Sequence, residues 1–464
     1  MTQNRTCDLF SVLMFLMIVY VATTIAQAQT FSVLYNFGTN SGDPIPSQFS
    51  QFLAQGRNGD LYSATGLGGT FANGTTYKVT PAGTLTALHN FDGQEDGDTP
   101  YGLTMGTDGN FYGTTPGGGT SKYGTVFKMT ASGTLNELYN FAGSTDGGHP
   151  AAPPIQGTDG NFYGMTSYGA LGYGTVYKIT PTGRLTTLYQ FDSYQGLVVF
   201  PPLIQASDGN LYGTTSGYYG GNGSVFKITI AGKFTVLYYF DGTHGAQPDA
   251  PLVQGSDGKF YGTTSGGGAY GQGTVYQITP SGSLTVLHNI NGTTDGGSPW
   301  AGLLQATDGD FYGVNTVAGA TNNGTIFKIT PTGNFSVLHN FDGTTGSEPS
   351  VTLFQHTNGI LYGVADIGGN AACGCGVFYS LNLGLKPFVS LLPISARVGK
   401  TIEILGQGFK GTTAVSFNGT PSTFKVVSST YLTAVVPKGA TTGFVTVTTP
   451  KSKLKSNQKF RIIS

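Results

Sequence analysis

Short apolar runs alternate along the chain with polar, glycine-rich stretches, and the alternation keeps a fixed spacing. Tyrosines that follow Phe or Leu three residues after an Asn-Gly or Asp-Gly glycine fall at Tyr62, Tyr112, Tyr163, Tyr212, Tyr261, Tyr312 and Tyr362, in steps of 50, 51, 49, 49, 51 and 50 residues. Seven units of about 50 residues is the period of propeller blades. Just before each tyrosine stands Asn58-Gly59, Asp108-Gly109, Asp159-Gly160, Asp208-Gly209, Asp257-Gly258, Asp308-Gly309 or Asn358-Gly359. These dipeptides tolerate the positive φ of a type I′ turn, which predicts a two-residue hairpin in every copy. The fifth copy reads as four strands: Ala250 to Gln254 (a), Phe260 to Ser265 (b), Gly273 to Thr279 (c) and Leu284 to Ile290 (d). Tight turns join a to b and c to d, whereas the b–c loop and d–a link are long. The tight turns therefore collect on one face of a disc and the long loops on the other. Polarity does not alternate cleanly within strands, as expected of blades covered on both faces.

The phase of the repeat predicts how the ring closes. Phe31 to Phe37 is a lone d-type strand, and the seventh copy ends after its c-type strand, Gly376 to Asn382. The first should complete the seventh blade beside Val377 to Leu381 and remove the exposed edges. An open seven-unit solenoid, the alternative, leaves that strand unpaired. The fold class expected is all-β, a seven-bladed β-propeller over 29–385 followed by a small immunoglobulin-like β-sandwich over 386–464. In the second region the pattern changes to short β-runs at Thr401 to Leu405, Ala414 to Phe417, Lys425 to Val427, Tyr431 to Val436, Gly443 to Thr448 and Lys459 to Ile463.

Composition adds detail. Glycine at 74 of 464 residues suits many tight turns, and recurrent aromatics argue against disorder. Residues 1–28 carry Arg5, an apolar stretch Leu9 to Val21, and Ala26-Gln27-Ala28, which predicts a signal peptide cleaved near Ala28 and a secreted or cell-surface protein. An uncleaved anchor is the competing reading. Cys373 and Cys375 then remain, a spacing that fits a local disulfide or two thiols rather than a zinc site. From residue 386 onward eleven Lys and Arg face one acid, Glu403, whereas 29–385 hold ten basic and twenty-one acidic residues. This asymmetry fits attraction between the domains, or contact of the basic domain with an envelope surface. An acidic propeller makes nucleic acid an unsuitable partner.

The strings [ST]-D-G-N-[FL]-Y-G-T-T and G-T-V-[FY]-K-[IM]-T, recurring over 31–382, resemble the Gloeobacter/Verrucomicrobia-type tandem repeat of exported bacterial proteins. The resemblance implies secretion and a propeller-like array and brings no enzymatic activity. The seventh copy departs from it at Val364-Ala365-Asp366 and at the cysteine pair. Gly406 to Phe409, Val415 to Gly419 and Ala434 to Gly443 resemble the IPT/TIG immunoglobulin-like domain, which implies a binding or spacer module. Gly406, Gly408 and Gly411 also spell a dinucleotide fingerprint, but a β-run follows where that motif needs a helix.

Candidate chemistry is sparse. His89, His288 and His339 share a d-strand slot with Tyr35, Tyr139, Tyr189 and Tyr239, so the slot reads as packing with a polar tip. The Asp of each Asp-Gly serves its turn. Asp96, Asp146 and Asp295 lie in d–a links, where an Asx-turn explains them better than calcium. Lys78, Lys128, Lys178, Lys227 and Lys328 of strand c read as snorkelling edge residues. No catalytic residue, metal site or cofactor is assigned. The ligand-binding candidates are long-loop aromatics: Phe71, Tyr101, Tyr123, Tyr173, Tyr194, Tyr218, Tyr219, Tyr270 and Trp300. Such rings stack on sugars and cover peptides at small entropic cost; packing against the next blade is the alternative. The expectation is a monomeric, non-catalytic binding or scaffold protein for a glycan or extracellular protein. A secreted polysaccharide lyase or glycoside hydrolase with an axial site, and a structural adhesion component, are the alternatives.

Overall fold

The computed structural model describes residues 29–47, 52–150, 152–192, 201–217 and 221–463. The predicted signal segment, Tyr194, Tyr218 and Tyr219 lie outside them. Seven antiparallel sheets, each ordered a-b-c-d, form the ring. The first blade is Ala54–Gln55, Leu61–Thr65, Thr75–Val79 and Leu85–Asn90. The strand Thr30–Asn36 lies antiparallel on Val377–Asn382, from Thr30 opposite Asn382 to Asn36 opposite Val377, and closes blade 7 as the repeat phase predicts. Strand a is two residues long in every blade. Each c–d pair carries a bulge, as between Val275 and Tyr276, which adds twist.

The a–b hairpin differs from the expected type I′ turn. Only its glycine has positive φ, +81° at Gly109. Gly109 N–H donates to Gly106 O at 2.9 Å and Gly106 N–H to Asn110 O at 2.8 Å. This is a type I turn over Thr107-Asp108 with Gly109 as the bulge residue, a three-residue loop. The aspartate serves a wider purpose. Asp108 Oδ1 accepts from Asn110 N–H, while Oδ2 accepts from the Tyr112 hydroxyl at 2.9 Å and pairs with Lys128 at 2.8 Å. Lys78, Lys128, Lys178 and Lys328 of strand c each pair with a carboxylate at or beside this turn. Each repeat tyrosine is buried, and Tyr112 stacks on Phe162 of the next blade at 3.8 Å.

A ring of glutamines, which the sequence reading passed over, marks the innermost circle. The N–H groups of Thr107, Thr158, Ser207, Ser256, Thr307 and Thr357 donate at 2.8–3.1 Å to the side-chain oxygens of Gln156, Gln205, Gln254, Gln305, Gln355 and Gln55 in the following blade. Six of seven joints are closed this way. At the seventh, Met105 replaces the glutamine and Arg57 the Ser/Thr, and Arg57 Nη2 instead donates to Thr107 O at 3.2 Å.

At this break the second domain docks. It is a two-sheet sandwich, Ser390–Leu392, Thr401–Leu405, Tyr431–Val435 and Phe424–Val426 facing Ser395–Ala396, Lys453–Ile462, Gly443–Thr448, Ala414–Phe417 and Thr420–Ser422, around Ile402, Phe417, Leu432 and Val445. Its only acid, Glu403, pairs with Arg57, whose guanidinium lies 5.0 Å from the Tyr431 ring. Leu392, Leu405 and Tyr431 pack with Ala54, Tyr62 and Met105. Gln407 donates to Thr357, Thr430 to Arg57 O, and Arg461 reaches Ser207 O. Arg57, Thr357 and Ser207 lie in a–b turns of blades 1, 7 and 4, and Ala54, Tyr62 and Met105 in the strands beside such turns, so the sandwich lies across the tight-turn end of the axis. The ion pair runs against the bulk charge, because the basic domain supplies the acid. Arg57→Ala is expected to weaken the joint by about 1–3 kcal/mol, discounted because Arg57 is 33% exposed, and it leaves Glu403, only 13% exposed, without its partner. Faster cleavage of the folded protein by subtilisin at the exposed Lys386-Pro387 linker is the readout; an unchanged rate would show that apolar packing holds the joint alone.

Candidate functional site

With the tight-turn end covered, the long-loop face is the open end of the axis, and there the blades disagree. Among the described residues, five d–a links clasp the b–c loop of the preceding blade through a residue-Pro pair. The residue is Thr99, His149, Gln247, Ser298 or Glu348, and its φ is +56, +52, +57, +51 or +52°. Each donates its N–H to the preceding loop, to Asn73, Tyr123, Asn222, Gln272 or Asn323 O, at 2.8–3.2 Å. Left-handed backbone in a non-glycine residue before proline is costly, about 1–2 kcal/mol each. The fold pays this at five equivalent places, each half-buried or exposed, with five different polar side chains. The residue after the proline varies as well: Tyr101, Asp249, Trp300 and Ser350. The signal was present in the sequence as x-Pro-y before each strand a.

The predicted aromatics divide on this face. Tyr101 and Trp300 sit directly after the link prolines, half-buried, and burial raises the Tyr101 phenol. Tyr123 and Tyr173 lie against the core clusters of their blades, and Tyr123 also meets Tyr168 and His149 at 5.9 and 5.5 Å. Phe71 and Tyr270 stand out at the rim, 56% and 59% exposed. The structure does not gather the six into one cluster. Phe71 belongs to the loop bordering a groove of about 480 Å³ at the seam of blades 7 and 1, lined by Asp43, Ile45, Leu67, Gly69 and the bonded Cys373–Cys375 pair.

The polar tips of the d-strand slot, which Tyr238 rather than the expected Tyr239 fills in blade 4, hold the links. His89 and His288 Nε2 lie 2.7 Å from Asp96 and Asp295 Oδ2, and the Tyr139 hydroxyl donates to Asp146 at 3.1 Å. Those three aspartates are loop staples. Two other acids were not singled out. Asp249 accepts from the Ser265 hydroxyl at 2.6 Å, and burial raises its carboxyl. In blade 7 the pair is exchanged: Ser350 is on the link and donates to Asp366 on strand b. Asp366 is 3% exposed, its Oδ1 has no partner, and burial pushes it to about 7.

The architecture is thus a seven-bladed propeller carrying an immunoglobulin-like sandwich on one end of its axis. The chain belongs to the Gloeobacter/Verrucomicrobia repeat family, which matches residues 19–221 and 201–420; an IPT/TIG domain matches 388–462. No curated protein matches. Among solved structures, a fungal alcohol oxidase of the AA5 family in complex with copper is 15% identical at a TM-score of 0.52, covering 92% of this chain and 100% of that one. A gluconolactonase from Xanthomonas campestris is 10% identical at 0.40, covering 77% and 90%, and a Bacteroides thetaiotaomicron protein of unknown function is 14% identical at 0.42, covering 76% of each. At these identities the likeness is one of fold.

Proposed function

We propose that this is an exported, non-catalytic binding or scaffold protein that presents the long-loop face to a glycan or extracellular protein. The observation that carries the reading is the set of five link positions with one strained backbone and five different side chains. Strain held by a scaffold while the displayed chemistry varies is the mark of a recognition surface. The docked sandwich supports it by leaving this face as the free end of the axis. Its eleven basic residues suit contact with an anionic envelope surface. The copper of the alcohol oxidase is not carried over, because among the described residues no three His, Cys, Asp or Glu side chains stand together as a ligand set.

Residues 29–464 probed on printed oligosaccharide and peptide arrays should bind a restricted set of ligands. Trp300→Ala should weaken that binding about tenfold, roughly the worth of one stacked ring. Turnover of a polysaccharide would overturn the non-catalytic reading, and arrays without signal would overturn the binding one.

A further inference from the structure

The basic residues of the sandwich are not scattered evenly over it. Three stand in file on the outer face of the sheet that contains Lys453–Ile462, Gly443–Thr448 and Ala414–Phe417. Leu454, Ser456 and Phe460 point into the domain and are buried, which leaves Lys453, Lys455 and Lys459 on the exposed side. Their numbering is uneven but their pairing is regular. Lys453 lies opposite Thr448, Lys455 opposite Thr446 and Lys459 opposite Phe444, and the bulge between Phe444 and Thr446 takes up the two extra residues of the longer strand. The lysines therefore leave the sheet about 7 Å apart, the spacing of alternate strand residues. Lys455 is also held in place, because its Nζ stands 3.6 Å from the centre of the Phe444 ring. Among the described residues no carboxylate pairs with any of the three. The domain's single acid, Glu403, lies in the other sheet and is held by Arg57. A file of like charges repels itself, and an anionic chain laid along it relieves that repulsion.

We infer that this face is a binding site for a linear acidic polysaccharide, a polymer whose sugar units carry carboxylates. The site is separate from the long-loop face and gives the envelope contact of the basic domain one surface and one ligand class. Three observations favour this polyanion. The charges follow one strand, so an extended chain can lie along all of them. Beside them the rungs continue with Thr448 and then Ala414, and with Thr446 and then Ser416, whose hydroxyls lie 2.7 Å apart and can exchange hydrogen bonds with sugar hydroxyls. Nucleic acid finds less here: Lys455 covers the one aromatic ring of the face, and Arg461 is turned to Ser207 O of the propeller, so neither a stacking platform nor a guanidinium fork is open. A bilayer finds no apolar anchor, since Ile394, Val398 and Val427, the exposed large apolar residues of the sandwich, lie outside the strands of this face.

The test uses residues 29–464 with polygalacturonate as the uronate polymer. Duplex DNA and vesicles of equimolar phosphatidylglycerol and phosphatidylcholine are the rival probes. Polygalacturonate should bind, more weakly as salt rises, and Lys453→Gln/Lys455→Gln/Lys459→Gln should lower its affinity about tenfold, the order expected for three exposed ion pairs lost. Lys400→Gln/Lys425→Gln/Lys438→Gln removes the same charge from the other sheet and its turns, and should lower it by less than about twofold. Trp300→Ala should leave it unchanged, which separates this site from the long-loop face. Equal losses in the two triple variants would reduce the effect to net charge and overturn the site. A protein that ignores polygalacturonate, or takes up only DNA or vesicles, would overturn the ligand class.

Discussion

A chain beginning at residue 38 is expected to lose the closed ring, whereas one beginning at residue 29 keeps it. Among the described residues, the strand Thr30–Asn36 is the only hydrogen-bonded cover for the outer edge of Val377–Asn382, and its removal exposes a row of unpaired backbone groups. Side chains go with it. Phe31 stacks on the His339 ring at 3.8 Å and meets Phe341 and Tyr379, while Phe37 is fully buried against Tyr77 of blade 1. Taking Phe31, Val33, Leu34, Tyr35 and Phe37 at about 1.5–3 kcal/mol each when fully buried, and less for the half-buried four, gives a loss of about 5–10 kcal/mol. That is of the order of a whole domain's stability. The truncated protein should therefore unfold at much lower urea and bind hydrophobic dye, and a peptide of residues 29–37 supplied in excess should restore the midpoint. A truncated chain with an unaltered urea midpoint would mean that the ring is held by the other six joints and the sandwich.

That closure was legible because it depends on phase, and phase needs only the period and the two ends. The turns were less legible. Asp-Gly suits both a type I′ turn and a type I turn with a glycine bulge, and what decides between them is the five-residue register set by Gly106 and Asn110. The glutamine ring was visible as a residue before each turn, but its meaning is a contact between blades about 50 residues apart. Arg57, Met105 and His356 show the reverse case. Each is a local departure from the repeat, and each lies where the sandwich docks or the ring closes: buried His356 takes up Gly59 O at 2.9 Å across the seam of blades 7 and 1. The candidate site was half visible. Aromatic content pointed to the long loops, but only the backbone angles single out Thr99, His149, Gln247, Ser298 and Glu348 as one repeated slot. Asp366 was noticed as a departure from the repeat, and its burial could not be foreseen from neighbours in sequence.

Asp366→Asn should stabilise the protein at alkaline pH and change little at acid pH. Burial is the main cause of the raised carboxyl, opposed by the Ser350 hydroxyl, with Glu348 adding repulsion; the nearby tyrosines Tyr77 and Tyr379 are fully buried, and burial raises both phenols. Between the ordinary aspartate value of about 3.9 and its folded value of about 7, the native state binds more protons than the unfolded one. Stability therefore falls as pH rises through that window, and the destabilisation is complete above it. Three pKa units correspond to about 4 kcal/mol, and relaxation or water entry lowers the observed figure to about 2–4 kcal/mol. Asparagine keeps the acceptor for Ser350 and removes the charge. Its urea midpoint should match that of the unaltered protein at about pH 3, below the unfolded-state value, and exceed it at pH 8–9. Equal pH profiles for the two proteins would show that Asp366 ionises freely in the folded protein.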